Sequence, residues 1–129
     1  MYPSDYLYTE EHEWIKVDGD VAVLGITDFA QQELGEVVYF EMPEVGDSFA
    51  TGDELGSIES VKAVSPVYTP VAGEVVEVNA AIEDSPEIVN DDPHGDGWLV
   101  KLRLASTDEL AKLMSAEQYE AFLKEAEEG

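Results

Sequence analysis

The chain has 129 residues, of which 44% are hydrophobic, so it matches one domain in length and has enough apolar side chains for a packed core. Thirty acidic residues outnumber six basic ones, giving a formal net charge of −24, which disfavours nucleic acid and anionic membranes as partners because phosphate binding needs Lys and Arg. Cysteine is absent, which excludes disulfides, thiolate metal sites and a Cys nucleophile, so thiol chemistry would require a cofactor. The sequence has no apolar run of membrane-spanning length and begins with neither a secretion nor a transit pattern, which predicts a cytoplasmic protein.

The acidic residues are spread along the whole chain. They occur near both ends, at Glu10 and Glu11 and again at Glu125, as well as at Asp91 and Asp92 in between. A docking site for one basic partner predicts a local cluster, whereas adaptation of a whole proteome to high salt predicts this spread. We therefore favour a halophilic prokaryotic origin, because at molar salt the screening length falls to roughly 3 Å and repulsion between carboxylates largely disappears.

The first third of the chain predicts short strands and one helix. Strands at 14–17 and 21–26 are joined by a turn at Asp18-Gly19-Asp20, which has hairpin composition. A helix follows over 27–35, with Asp28 and Gln31 as a capping box and Gly35 as the left-handed residue that ends it. A further strand is predicted at 36–41.

The rest of the chain predicts more strands and then two helices. The strands are expected at 54–61, 63–69, 73–78 and 98–104, a spacing typical of a β-sandwich or small barrel. Residues 106–109 have the pattern of a capping box that opens a helix. Ser115 and Gln118 open a second helix, whose apolar stripe is Tyr119, Phe122, Leu123 and Ala126. We expect one mostly β domain over 1–129, with a short internal helix and a C-terminal helical extension at about 106–127.

Two of these strands meet at a short polar tip that carries Lys62. Lysine is scarce, and the small residues Ser60 and Ala63 flank this one. An amine on a protruding turn is accessible to a modifying enzyme, and small neighbours leave room for that enzyme's active site. This pattern alone leaves open an ordinary surface lysine.

The residues around the tip resemble a known motif. Glu59-Ser60-Val61-Lys62-Ala63 is similar to the lipoyl-attachment motif of the H proteins of the glycine cleavage system. The resemblance continues through most of the chain, in His12-Glu13-Trp14, Gly25 to Gln31, Leu34 to Val38, Pro70 with Gly73-Glu74-Val75, Val78-Asn79 and Gly97-Trp98-Leu99. It implies a sandwich–barrel hybrid of the biotinyl- and lipoyl-carrier type, with lipoic acid on Lys62 and Glu59, Ser60, Val61 and Ala63 as its recognition context.

Two related carrier families fit less well. Biotin carriers typically flank the modified lysine with Met, whereas Val61 and Ala63 occupy those places here. Lipoyl domains of 2-oxoacid dehydrogenases are shorter, and they lack the His12-Glu13-Trp14 segment and the C-terminal helices.

The resemblance implies a carrier and not an enzyme. Such a carrier takes an aminomethyl group from a pyridoxal-phosphate glycine decarboxylase to a tetrahydrofolate-dependent aminomethyltransferase, and dihydrolipoamide dehydrogenase then reoxidises it. A lipoyl-attaching enzyme loads the lysine. The match to the His-Glu-Trp motif makes Glu13 a candidate contact for the loaded arm, whereas Pro66 replaces a residue that is polar in many relatives.

Two other functions remain open at this stage. One is a lipoyl relay that hands lipoyl groups to other enzymes, since it needs the same hairpin. The other is an acidic interaction module with an unmodified Lys62. The loop from Asn90 to Gly97 is acidic but lacks the calcium-loop pattern, and neither His12 nor His94 has a Ser or Cys partner at a recognisable spacing. We therefore expect no metal site and no catalytic residues.

The charge predicts that the fold depends on salt. We expect a higher melting temperature in molar potassium chloride than in dilute buffer, with a smooth and broad dependence, because salt screens repulsion between exposed carboxylates. Thermal denaturation over a series of salt concentrations measures this. A melting temperature that does not change would instead favour a local acidic docking patch.

Overall fold

The computed structural model describes residues 2–128, and side chains as far as Glu125. The strands are β1 Leu7–Tyr8, β2 Glu13–Asp18, β3 Val21–Ile26, β4 Val37–Glu41, β5 Ser48–Phe49, β6 Glu54–Ser60, β7 Val64–Tyr68, β8 Gly73–Val78 and β9 Val100–Leu104. The helices are α1 Asp28–Leu34, α2 Ala81–Asp84, α3 Ile88–Asp91, a 3₁₀ helix Asp108–Lys112 and α4 Ala116–Glu128.

The strands form two antiparallel sheets. One has the order β1-β2-β3-β9-β8-β5, and the other the order β4-β6-β7. Alternate side chains of both sheets point into one core, which includes Ile15, Leu24, Phe40, Ile58 and Leu102. The predicted mostly β architecture with a short internal helix is confirmed.

The internal helix begins one residue earlier than the predicted capping box. Thr27, not Asp28, is the N-cap, and its side chain accepts a hydrogen bond from the Ala30 amide. The Asp28 carboxylate instead accepts from the side-chain amides of Gln31 and Gln32. Gly35 ends the helix as predicted, with φ of +80°, a conformation that costs little without a Cβ.

The C-terminal prediction is half right. The segment after Ser106 forms a 3₁₀ helix whose N-cap residue, Thr107, makes no side-chain capping bond. Ser115 and Gln118 do form the predicted capping box, each side chain accepting from the other residue's amide. The predicted stripe residue Ala126 lies outside the described side chains.

An aromatic cluster attaches α4 to the larger sheet. Tyr119 is fully buried, and its ring stacks on that of Tyr8 with centroids 5.0 Å apart. Trp14 and Phe122 belong to the same cluster. The C-terminal helix is therefore part of the packed structure next to β1 and β2. In the described part of the chain, no helix is both long and apolar enough to cross a bilayer.

Candidate functional site

The tip between β6 and β7 is organised by Ser60. The Ser60 amide donates to the Ala63 carbonyl at 2.8 Å, and the Ser60 hydroxyl oxygen accepts from the amides of Lys62 and Ala63 at 3.3 and 3.1 Å. The Val61 amide donates to the Glu36 carbonyl at 3.0 Å. The sequence indicated Ser60 as a small neighbour of Lys62 and, through the resemblance, as part of its recognition context; the structure makes it the hydrogen-bonding centre of the turn.

Lys62 projects from this fixed turn into solvent. Its side chain is exposed, and its stem passes 3.5 Å from the position that a Cβ on Gly35 would occupy. The ion pair found among the described side chains joins Lys101 to Glu77, so no described carboxylate holds the Lys62 amine. Glu59 is exposed, and Val61 and Val64 are 67% and 65% exposed. A modifying enzyme can therefore reach the Lys62 amine and can also contact the exposed side chains of Val61 and Val64 on either side of it.

Asn90 secures the segment beside Lys62. Its side-chain oxygen accepts from the Val37 amide at 2.8 Å, and its nitrogen donates to the Gly35 carbonyl at 2.8 Å and to the Gln31 side chain at 2.9 Å. From the sequence, Asn90 was placed at the start of an acidic loop and was assigned no role of its own. Its contacts span more than 50 residues, so no local pattern could have revealed them.

Glu13 is a buried carboxylate at the start of β2. It is 4% exposed, and it accepts hydrogen bonds from the Tyr68 amide at 2.9 Å and the Thr9 hydroxyl at 3.2 Å. Burial raises its pKa to about 7, against the lowering effect of these two donors. Two oxygens with about four acceptor sites leave room for one more donor.

Glu13 lies in the wall of a cleft of about 180 Å³ between α1 and the β6–β7 hairpin. The apolar lining residues are Ile26, Phe29, Ala30, Leu34, Ile58, Pro66 and Val67. Two more carboxylates, Glu11 and Glu33, face the cleft and are exposed to solvent. An apolar floor with carboxylates on its rim suits a flexible apolar chain that ends in a cation.

The outer part of the Lys62 side chain lies near one residue of the cleft lining. Leu34 lines the cleft, and a Cβ on the next residue, Gly35, would lie 3.5 Å from Lys62 Cε. Ser65 and Pro66 line it from the strand that follows the tip. An apolar group attached to Lys62 therefore fits these surroundings, with the exposed amine as its attachment point and the cleft as a place to dock.

The other residues noted in the sequence have structural contacts. The Trp14 indole donates to the Pro93 carbonyl at 2.8 Å, and His94 Nε2 accepts from the Asp28 amide at 3.0 Å. His12 lines the cleft and has φ of +67°, in the left-handed region that is uncommon for a non-glycine residue. Burial lowers the pKa of His12.

The raised pKa of Glu13 predicts how stability depends on pH. The folded chain retains this proton up to about pH 7, whereas the unfolded chain loses it near pH 4.3, so the free energy of unfolding falls as pH rises between these values. Denaturation at pH 5 and pH 8 should show that Glu13→Gln gains roughly 2–4 kcal/mol relative to the wild type over this interval. The exposed Glu10→Gln is the control, and an equal pH dependence in all three proteins would contradict a buried, titrating Glu13.

Comparisons with known proteins agree with this arrangement. The family model described as "Glycine cleavage H-protein" matches residues 6–126. Proteins named glycine cleavage system H protein from Halothermothrix orenii and Carboxydothermus hydrogenoformans are 54% and 52% identical, each over 97% of this chain and over 98% and 96% of their own lengths. A crystal structure of a glycine cleavage system H protein from Mycobacterium marinum superposes with a TM-score of 0.87 at 36% identity, covering 95% of this chain and 99% of that one.

The matched region contains the hairpin with Lys62, the segment with Glu13 and most of α4. The family resemblance identified from the sequence motifs is thus confirmed, as is the fold that it implied. This chain belongs to the glycine cleavage H-protein family.

Proposed function

We propose that this chain is the lipoyl-carrying shuttle of a glycine cleavage system, with the lipoyl group in amide linkage to Lys62. The observation that carries the proposal is an exposed lysine on a rigid turn, next to a cleft that suits the loaded arm. The family is a carrier component and not a catalyst. When attached, the lipoyl group supplies a disulfide that can accept the aminomethyl group.

The partners follow from the same assignment. The carrier would receive its cargo from glycine decarboxylase, deliver it to the tetrahydrofolate-dependent aminomethyltransferase and be reoxidised by dihydrolipoamide dehydrogenase. A lipoyl-attaching enzyme would recognise the turn through Glu59, Ser60, Val61 and Ala63. Tethering raises the effective concentration of the reactive group at each active site without requiring tight protein–protein binding.

Lys62 is predicted to be the only acceptor of the lipoyl group. Intact-mass analysis of the protein from its own host should show one lipoyl addition, which is lost in Lys62→Arg because the guanidinium group cannot form the amide. Lys16→Arg, a substitution at an exposed lysine on β2, is the matched control and should retain the addition. Modification that persists in Lys62→Arg, or the mass of biotin instead, would contradict the assignment.

Glu13 is proposed to bind the amine of the cargo. The aminomethyl group on a thiol sulfur is lost when water attacks its carbon, which breaks the C–N and C–S bonds and yields formaldehyde, ammonia and the free thiol. A protonated amine in the cleft would donate to the Glu13 carboxylate, and the apolar lining would limit access of water. The cation would also favour the ionised form of Glu13 and relieve part of the cost of its burial.

Glu11 and Glu33 are proposed as secondary contributors to the same site. They lie on the rim of the cleft and would attract a cation before it reaches Glu13. Because they are exposed, their attraction is screened by salt much more than that of Glu13. They supply carboxylates to a cleft in which the lining residue Pro66 has no polar side chain.

Replacing Glu13 should therefore shorten the lifetime of the loaded arm. We expect Glu13→Gln to release formaldehyde roughly tenfold faster in molar salt, because a neutral amide replaces a charge-assisted acceptor. The carrier is lipoylated, loaded with glycine and the decarboxylase, and separated from the enzyme before release is followed. Glu10→Gln removes the same charge from a neighbouring exposed position and should release at the wild-type rate. Equal rates in all three proteins would remove Glu13 from the site.

A further inference from the structure

The hydroxyl of Tyr119 joins two segments that are far apart in the sequence. It lies 2.8 Å from His12 Nδ1 and 2.8 Å from Thr27 Oγ1, and it shares a hydrogen bond with each. Tyr119 and Thr27 are both fully buried. Water therefore cannot replace this hydroxyl without opening the packing between α4 and the sheet.

The two joined segments are adjacent parts of the cleft wall. His12 lies between Glu11 and Glu13, and all three line the cleft. Thr27 is the N-cap of α1, and that helix supplies further lining residues, Phe29 among them. Tyr119 bonds to both segments and does not line the cleft itself.

Other contacts show that the His12 segment needs support. His12 has a left-handed backbone, which is unfavourable for a residue with a Cβ and persists only where neighbouring contacts enforce it. The His12 carbonyl accepts from the Thr27 amide at 3.0 Å. Its ring packs between Phe29 of α1 and Phe122 of α4, at centroid distances of 4.6 and 6.1 Å.

We propose that Tyr119 is a positioning residue for the aminomethyl-arm cleft, whose hydroxyl holds the Glu11–Glu13 segment against the start of α1. The C-terminal helix thereby fixes the place of the Glu13 carboxylate without touching the cargo. This inference rests on the proposed role of Glu13 in the cleft.

The test compares two buried tyrosines of one cluster. Tyr119→Phe removes the hydroxyl that bonds to both segments and retains the ring. Tyr8→Phe is the matched control, because Tyr8 is equally buried and stacks on Tyr119, but its hydroxyl donates to the Pro3 carbonyl at 2.7 Å, away from the cleft. Both substitutions remove one hydrogen-bonding hydroxyl, so a general loss of stability should affect both proteins.

We expect Tyr119→Phe to release formaldehyde from the loaded arm about threefold to tenfold faster than the wild type, the size of effect expected from a lost buried hydrogen bond. Tyr8→Phe should release at the wild-type rate, and lipoylation of Lys62 should be complete in both. Equal release rates in Tyr119→Phe and Tyr8→Phe would overturn the inference.

A double variant separates this inference from the role of Glu13. If Tyr119 acts by placing Glu13, then Tyr119→Phe combined with Glu13→Gln should release no faster than Glu13→Gln alone. Additive effects would show that Tyr119 acts by another route and would overturn the inference while leaving Glu13 in place. A wild-type rate in Glu13→Gln would instead refute the proposed contact itself.

A measurement without the cofactor completes the test. It uses the unlipoylated protein and two backbone amides near the cleft. The Thr27 amide donates to the His12 carbonyl, and the Glu13 amide donates to the Thr9 hydroxyl. Hydrogen exchange at these two amides should be faster in Tyr119→Phe and unchanged in Tyr8→Phe. Unchanged exchange in Tyr119→Phe would contradict the positioning role.

Discussion

The withdrawal of one carboxylate from water is the constraint on which the site depends. Burying Glu13 disfavours its ionised form, and two hydrogen-bond donors offset only part of that cost, as its pKa of about 7 shows. The free carrier therefore has a group whose environment improves when a cation arrives. A surface carboxylate with an ordinary pKa would gain much less, because water already solvates it.

At Lys62, a backbone turn fixed by hydrogen bonds carries an exposed side chain. Ser60 closes the turn, and the Val61 amide bonds it to Glu36 in the segment after α1. The Asn90 side chain in turn holds that segment through Gly35 and Val37. The turn backbone would therefore lose little further entropy on binding of a partner enzyme to the tip. With the proposed lipoyl arm on Lys62, only the bonds beyond its Cα would need to reorient as the arm moves between the cleft and an active site.

Features encoded by neighbouring residues could be predicted, and those encoded by distant contacts could not. The β2–β3 hairpin and the lysine tip follow from alternation and turn residues within about ten positions. Thr27 and Asp28 are adjacent, and both residue types are favoured at the N-cap, so residue preference alone could not predict which of them caps α1. Glu13 was identified only through family resemblance, because its donor Tyr68 is 55 residues away. Tyr119 had the spacing of a core residue, and its bond to His12 spans 107 positions.

Salt would weaken the attraction of a cation to exposed carboxylates much more than its attraction to a buried one. In molar salt the screening length of roughly 3 Å removes most attraction between exposed charges, while buried pairs are screened much less. Glu11 and Glu33 at the rim would then contribute little to holding a cation, whereas Glu13, 4% exposed, would keep most of its interaction. For a carrier with a net charge of −24, high salt would therefore favour a cargo contact inside the cleft, and the role proposed for Tyr119 is to keep the Glu13 carboxylate there.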